Sequence, residues 1–239
     1  MNLSLILSLL AGLGEPCAHT LDQPRPAFSA EHQRSTVALI QTTVAGLGGS
    51  ADFARFLELV ARRESTLQRG LVHRLPADLD GAAAAWARLA PVYQRAGNPV
   101  AADPQLWASY GLFGMNSPLF TMVWSPTSDP RVLCDSVVDV VVYRRAAARV
   151  LARAGKTVPC KGGGSHTLAG TWTEIHGAVS GGSLCPRPQD ADFRRRAARV
   201  GLDPDARVRA RDLGTDPADQ GGFVRATWAR WRAAWGPSS

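Results

Sequence analysis

The sequence predicts a mainly α-helical protein, and three observations support this fold class. Apolar residues recur at helical spacing over several segments, and helix-capping residues precede them. Only the loop-rich middle of the chain leaves room for a short β element. Hydrophobic residues make up 45% and charged residues 20% of the 239 positions, which is typical of a folded chain rather than a disordered one.

The first two helices have clear start and stop signals. The first is predicted from about residue 30 to 45, before the sequence AGLGGS. The second begins after Ser50 as N-cap, carries Asp52 in its first turn and ends near Ser65. A third, Ala-rich helix follows, with Asp78 or Asp80 available as its cap and the sequence GNP at residues 97–99 as its end.

The second half of the chain contains a long helical pattern and a shorter one. The long helix is predicted over residues 129–155, with Asp129 as N-cap, Pro130 at its first position and Gly155 as its end. The glycine-rich loop KGGGSH follows, and the next helix ends at Gly181–Gly182. From Pro186 onward the composition becomes rich in arginine, which predicts a separate helical extension over residues 185–239.

The N-terminal residues predict an exported protein, either periplasmic or extracellular. An apolar run from Leu3 to Leu13 is too short to span a bilayer and has the length of a signal-peptide core. We expect a signal peptide over residues 1–19, cleaved near Ala11–Gly12 or Ala18, and a Pro-broken linker over residues 20–30. A buried N-terminal helix and a misplaced start codon are the alternatives. No other segment could span a membrane.

The four cysteines contain no CxxC pair, which argues against a zinc ribbon. They are Cys17, Cys134, Cys160 and Cys185. If residues 1–19 are removed, three cysteines remain, and we expect two of these three to form a disulfide. The spacing does not fix the pairing, and buried free thiols are the alternative.

The net charge of +7 and a pI near 9.9 indicate an anionic partner, such as a nucleic acid, a membrane surface or an acidic cell-wall polymer. The basic runs RRRAARV and RVRARD could contact phosphate. They lack interleaved aromatic residues and a helix-turn-helix pattern, so no nucleic-acid partner is expected. At the C-terminus an apolar helical stripe is predicted either to dock on the main domain or to bind sugar or a partner; it contains Val224, Trp228, Trp231 and Trp235.

Glu64 is the most informative residue of the second helix. Phe53, Phe56, Leu57 and Val60 mark one apolar face, and one more turn of the helix brings Glu64 to that same face. A carboxyl group on an apolar face is costly to ionise, so we expect its pKa to be raised. A raised carboxylic acid is what glycoside cleavage needs to protonate a leaving oxygen. The alternative is a solvated side chain at a frayed helix end.

The segment SYGLFGMNSP at residues 109–118 supplies the second motif. Together, ARRES and SYGLFGMNSP resemble the lysozyme-like superfamily of lytic transglycosylases and lysozymes, in which a helix ends in Glu-Ser and a Tyr-Gly-Leu-Met-Gln-Ile-Asn-Ser segment follows. Gly114 stands where that family has Gln. The stretch between the two motifs is long and implies an insertion at residues 66–109. The segment WTEIHGAVSGG lies where the family has Ala-Tyr-Asn-x-Gly, with Ile175–His176 in place of Tyr-Asn.

This resemblance implies a lysozyme-like catalytic domain at residues 31–184 that cleaves peptidoglycan at the β-1,4 bond between MurNAc and GlcNAc. Glu64 would be the general acid and base. The sequence offers no clearly placed second carboxylate, which favours the transglycosylase route to a 1,6-anhydro product over hydrolysis, and hydrolysis stays open. The implied substrate-binding residues are Ser65, Tyr110, Gly111 (as a close backbone approach), Phe113, Met115, Asn116, Trp172 and His176.

No cofactor or metal is expected, because His73, His166 and His176 fit no HExxH or paired Cys/His spacing. A second hypothesis is a peptidoglycan-binding or assembly protein on a degenerate lysozyme-like scaffold. Gly114 and the poor match at Ile175–His176 motivate it.

Overall fold

The computed structural model describes residues 17, 19–20, 29–74, 82–95, 97, 108–124 and 130–216. These residues are mainly helical, which confirms the predicted fold class. The α-helices are α1 (Ala30–Gly46), α2 (Ala51–Glu64), α3 (Ala82–Arg95), α4 (Ser117–Val123), α5 (Ser136–Leu151), α6 (Trp172–Gly181) and α7 (Asp190–Arg199). Two 3-10 helices cover Pro130–Cys134 and Ala210–Leu213.

The predicted start and end of α2 are confirmed. The Ser50 side chain accepts a hydrogen bond from the Phe53 backbone N–H, and the helix ends at Glu64 with Ser65 as its C-cap. At the start of α6 the side chains of Thr171 and Glu174 each accept a backbone N–H bond in a reciprocal capping box. The left-handed Gly182 ends that helix.

The long helix predicted over residues 129–155 is divided in two. Residues Pro130–Cys134 form a 3-10 helix, and α5 starts afresh at Ser136. The reason is Asp135, whose carboxylate accepts hydrogen bonds from the backbone N–H groups of Val137 and Val138 and so caps a new helix. The predicted N-cap Asp129 lies outside the described residues, as do Asp78 and Asp80.

The β structure is more extensive than the sequence predicts. Strands β1 (His19–Thr20), β2 (Leu71–Arg74), β3 (Ala108–Tyr110) and β4 (Met115–Asn116) form one sheet in that order. β1 pairs with β2 in parallel, and the other two pairings are antiparallel. The segment SYGLFGMNSP therefore forms the β3–β4 hairpin with its turn at residues 111–114. A second hairpin joins β5 (Thr157–Pro159) to β6 (Ser165–Thr167) around the predicted glycine-rich loop.

Helix α5 runs through the centre of the core. Its Val140, Val141 and Val142 are fully buried, and it contacts α1, α4 and α6. The same core contains Phe193 of α7 and Leu213 of the second 3-10 helix. A boundary at residue 185 therefore does not separate two cores, because the described part of the predicted extension packs into the main domain. The C-terminal tryptophan stripe lies outside the described residues.

All four cysteines are paired. Cys17 bonds to Cys134, and Cys160 bonds to Cys185. The prediction of one unpaired cysteine is wrong, because it assumed that Cys17 is removed with a signal peptide. Cleavage near Ala18 would delete this disulfide and leave Cys134 without its partner. Two disulfides are typical of a protein that matures in an oxidising compartment, which indicates that the chain is exported.

The described helices contain none that is long and apolar enough to cross a membrane. The packing of the described chain brings the end of α2 close to the turn at residues 111–114 and within electrostatic reach of Arg187 in the segment after α6.

Candidate active site

Glu64 is the last residue of α2, and its side chain is 27% exposed. It faces the turn of the β3–β4 hairpin. Gly114 there has φ +59°, and a Cβ atom on it would lie 3.4 Å from the Glu64 Cβ and 3.5 Å from Oε2. The two sequence motifs ARRES and SYGLFGMNSP are therefore neighbours in the fold. The glycine at the position where the resembled family has glutamine lies directly beside the carboxyl group.

The protonation of Glu64 is set by two opposing effects. Burial raises the pKa of the carboxyl group, and the guanidinium groups of Arg63 and Arg187 lower it. Burial is the largest of these effects, so the pKa stays above its ordinary value. The Arg63 Nε lies 3.6 Å from Glu64 Oε1. The raised pKa favours the protonated carboxyl group. The Arg63 guanidinium group is close enough to stabilise the carboxylate once the proton leaves.

Arg63 is held in place by His176. The Arg63 Nη1 lies 2.8 Å from His176 Nε2, and the imidazole is fully buried and stacked on Phe193 with a centroid distance of 4.3 Å. Burial, together with the charges of Arg63 and Arg187, lowers the pKa of His176 to about 4. The imidazole is therefore neutral near pH 7, with Nε2 accepting from Arg63. His176 is thus linked to Glu64 through Arg63.

Arg187 is the second cation near Glu64. Its Nη2 lies 2.9 Å from Asp190 Oδ1, and its side chain is 17% exposed. The guanidinium group lies against α6, where a Cβ on Gly181 would come within 1.3 Å of Nη1. Gly181, predicted only as a helix stop, therefore also makes room for this arginine. Sequence reasoning missed Arg187 because its charge is paired locally and its approach to Glu64 depends on the tertiary fold.

The opposite side of the hairpin turn is held by Asp139 of α5. Its Oδ2 accepts a hydrogen bond of 3.2 Å from the Phe113 backbone N–H, and the residue is fully buried. Burial raises the pKa of Asp139 well above the ordinary value, although the backbone N–H groups of Phe113 and Leu112 lower it. Gly111 has φ +77°, and a Cβ on it would lie 2.3 Å from Asp139 Oδ2 and 2.4 Å from the Leu133 carbonyl oxygen. Gly111 is buried beside Asp139, and its expected role in letting the backbone approach a sugar stays a prediction.

Most of the other predicted substrate-binding side chains are in the core. Four of them are no more than 3% exposed: Tyr110, Phe113, Met115 and Trp172. Ser65 is also fully buried, and its hydroxyl donates to the Ala61 carbonyl. These side chains therefore belong to the core of the described structure, and their expected contact with substrate stays a prediction. Asn116 is half-buried, caps α4 by accepting from the Leu119 N–H, and is the member of that set that does line a groove.

That groove lies between α4, α5 and α6 and has a volume of about 710 Å³. It is called the helical groove below. Glu64 does not line it, but Asn116, Ser180 and Gly181 do, and Gly181 contacts the Arg187 guanidinium. The helical groove therefore begins beside the group of side chains around Glu64. Its remaining lining residues are Leu119, Met122, Val123, Ala146, Arg149, Val150, Arg153, Ala178, Val179, Gly182 and Leu184.

No group of three or more His, Cys, Asp or Glu side chains suited to a metal ion occurs among the described residues. The His166 Nε2 lies 2.8 Å from Glu174 Oε1, in the capping box of α6, and the side chain of His73 lies outside the described residues.

Comparisons with models of known protein families, with characterised proteins and with solved structures gave no match. The class of protein defined by fold and site is thus an exported, disulfide-bonded, mainly helical domain with a half-buried carboxyl group between two arginines.

Proposed function

We propose that the chain cleaves the glycan strands of peptidoglycan, in the periplasm or outside the cell, with Glu64 as general acid and base. The observation that carries this proposal is the position of the Glu64 carboxyl group. It is partly exposed, its pKa is raised by burial, and it lies against the backbone of a left-handed glycine turn. A general acid at neutral pH needs this combination of a retained proton and access to the substrate.

In the proposed reaction the Glu64 carboxyl donates its proton to the glycosidic oxygen between the two amino sugars. The bond then breaks through an oxocarbenium-like state. The carboxylate that remains is stabilised by the cations of Arg63 and Arg187. The carboxylate next accepts a proton from the C6 hydroxyl of the sugar whose C1 has lost the leaving oxygen. The C6 oxygen then bonds to C1 and closes a 1,6-anhydro ring. Among the described residues, the charged side chains that shift the Glu64 pKa are both cations, Arg63 and Arg187, and the lack of a second carboxylate beside Glu64 favours this route over hydrolysis.

The test is cleavage of isolated sacculi and purified glycan strands by the wild type and by Glu64→Gln. We expect activity to fall by about 10²- to 10⁴-fold, the usual contribution of a general acid. Glu58→Gln is the matched control, because Glu58 lies on the same helix and pairs with Arg62 on the surface. Mass spectrometry of the products distinguishes anhydro ends from reducing ends. A wild type inert on both substrates, or a Glu64→Gln variant of full activity, would contradict the proposal.

A second candidate is a peptidoglycan-binding or assembly protein without turnover. It is favoured by one observation: the side chains expected to line a groove are buried, including Tyr110, Phe113 and Trp172. The described surface beside Glu64 therefore offers little aromatic area for stacking on sugars. Co-sedimentation with sacculi that yields no soluble products would support this candidate, and release of products that depends on Glu64 would exclude it.

A further inference from the structure

Two arginines on the wall of the helical groove have no carboxylate partner among the described residues. Arg149 and Arg153 are exposed, lie four residues apart and so project from the same face of α5 and its C-terminal turn. The Arg149 Nη1 donates to the Met122 carbonyl. By contrast, Arg144 and Arg145 on the same helix both pair with Asp216. Within the described part of the chain, neither of these two groove-lining cations is neutralised by a carboxylate.

The rest of the groove wall is largely aliphatic. Leu119, Val123, Val150, Val179 and Leu184 all line it. Met122 lies on the rim, where it is 64% exposed. Sugar rings present hydroxyl groups that need polar partners, so this wall is poorly suited to glycan itself. An aliphatic channel with two cations suits a peptide that carries small apolar side chains and carboxylates.

The groove has a defined direction relative to Glu64. The Tyr143 ring on α5 packs against Phe113 of the hairpin turn with a centroid distance of 5.0 Å, and the next residue, Gly114, faces Glu64, so Tyr143 marks the level of Glu64 along α5. An α-helix rises about 1.5 Å per residue, which places Arg149 and Arg153 about 9 and 15 Å further along α5. An extended chain spans roughly 3.3 Å per residue, so these distances correspond to about three to five residues.

We propose that the helical groove binds a short acidic peptide attached to the glycan beside the bond that is cleaved, with Arg149 and Arg153 pairing its carboxylates. The proposal rests on the glycan-cleaving function above. It names the substrate class of the same site: strands that carry peptides, in preference to strands from which the peptides have been removed. Charge complementarity, the aliphatic wall and the three-to-five-residue distance all specify this occupant.

The first experiment compares glycan strands bearing their peptides with the same strands after enzymatic removal of the peptides. We expect Arg149→Gln/Arg153→Gln to lower kcat/KM about three- to tenfold on peptide-bearing strands and to leave stripped strands unaffected, as expected for two exposed ion pairs. Arg199→Gln is the charge-matched control, because Arg199 is exposed on α7 and does not line the groove. Equal cleavage of both substrates by the wild type, or equal loss with Arg199→Gln, would overturn the proposal.

A second experiment separates the groove from the catalytic function. The peptides released from peptidoglycan are titrated into the Glu64→Gln variant, with binding followed by NMR shifts of the groove methyl groups. We expect saturable shifts that weaken several-fold in the variant that also lacks Arg149 and Arg153. If the wild type cleaves no glycan but these shifts appear, the glycan-cleaving proposal fails and the peptide site stands. Absent shifts, or a concentration-dependent dimer that depends on the two arginines, would overturn the peptide site.

Discussion

The hairpin turn at residues 111–114 lies between two carboxyl groups whose pKa values are both raised by burial but whose exposure to solvent differs. Asp139 on one side is fully buried, and Glu64 on the other is 27% exposed. Burial raises the pKa of both. The groups that lower the two pKa values differ. Backbone N–H groups of the turn lower the pKa of Asp139, and the guanidinium groups of two arginines lower that of Glu64.

This difference separates a structural carboxyl group from a candidate catalytic one. Asp139 is fully buried and bonded to the backbone of the turn, so its role is to hold the turn. Glu64 has a solvent-facing side and nearby cations, so it can release a proton and take one back at low cost. A raised carboxyl pKa therefore marks a functional site only when access and a counter-charge accompany it.

The largest predicted effect comes from adding one methyl group to each side of the turn. Gly111 and Gly114 both have positive φ, so the backbone strain of an alanine is similar at the two positions. Gly111→Ala also forces a Cβ to 2.4 Å from the Leu133 carbonyl oxygen, whereas the Cβ of Gly114→Ala finds ordinary contacts of 3.4 Å or more. We expect a stability loss of about 3–5 kcal/mol for Gly111→Ala and about 1–2 kcal/mol for Gly114→Ala.

Chemical denaturation of the two variants measures this difference. If Glu64 is the general acid, the less destabilised Gly114→Ala should show the larger change in activity per folded molecule, because its methyl group lies against the carboxyl. Equal destabilisation of the two variants would mean that the two sides of the turn are packed alike, which the described contacts exclude.

The next effect distinguishes the charge of Asp139 from its hydrogen bond. Asp139→Ala leaves the buried Phe113 N–H without its acceptor, and we expect a loss of about 2–4 kcal/mol. Asp139→Asn keeps a carbonyl oxygen at the same place and is neutral, like the protonated acid. We expect it to lose about 1 kcal/mol or less. An Asn variant as unstable as the Ala variant would show that Asp139 acts as an anion.

Much of the fold was predictable because it depends on local signals. The apolar spacing from Phe53 to Val60 and the Ser50 cap suffice to define α2, and glycine ends α6 where expected. The break at Asp135 was missed because valine-rich segments fit both a long helix and a shorter one after a new cap. The four-stranded sheet was missed because its strands are two to four residues long, which is too short for a recognisable alternation.

The site was predictable at Glu64 and little beyond it. A carboxyl group on an apolar face is visible from periodicity alone, and the described structure does bury it partly. The burial of Tyr110 and Trp172 could not be read from their residue types, since aromatic side chains serve cores and grooves equally. Arg187 is 123 positions from Glu64, and only the packing of α6 against the core brings the two together.

The smallest predicted effect concerns the stability contributed by Glu64 itself. Burial raises its pKa above the ordinary value of 4.5, so the folded state favours the protonated carboxyl. The pH interval that matters runs from the unfolded-state pKa of about 4.5 to the higher folded-state pKa. As pH rises through this interval, the wild type must ionise a partly buried group and loses stability, whereas Glu64→Gln does not. We therefore expect Glu64→Gln to melt slightly above the wild type at pH 7 and level with it at pH 4. Glu58→Gln, which removes a surface pair with Arg62, should show no such pH-dependent gain. A Glu64→Gln variant less stable than the wild type at pH 7 would mean that the two arginines outweigh burial, leaving Glu64 ionised and unable to act as the acid.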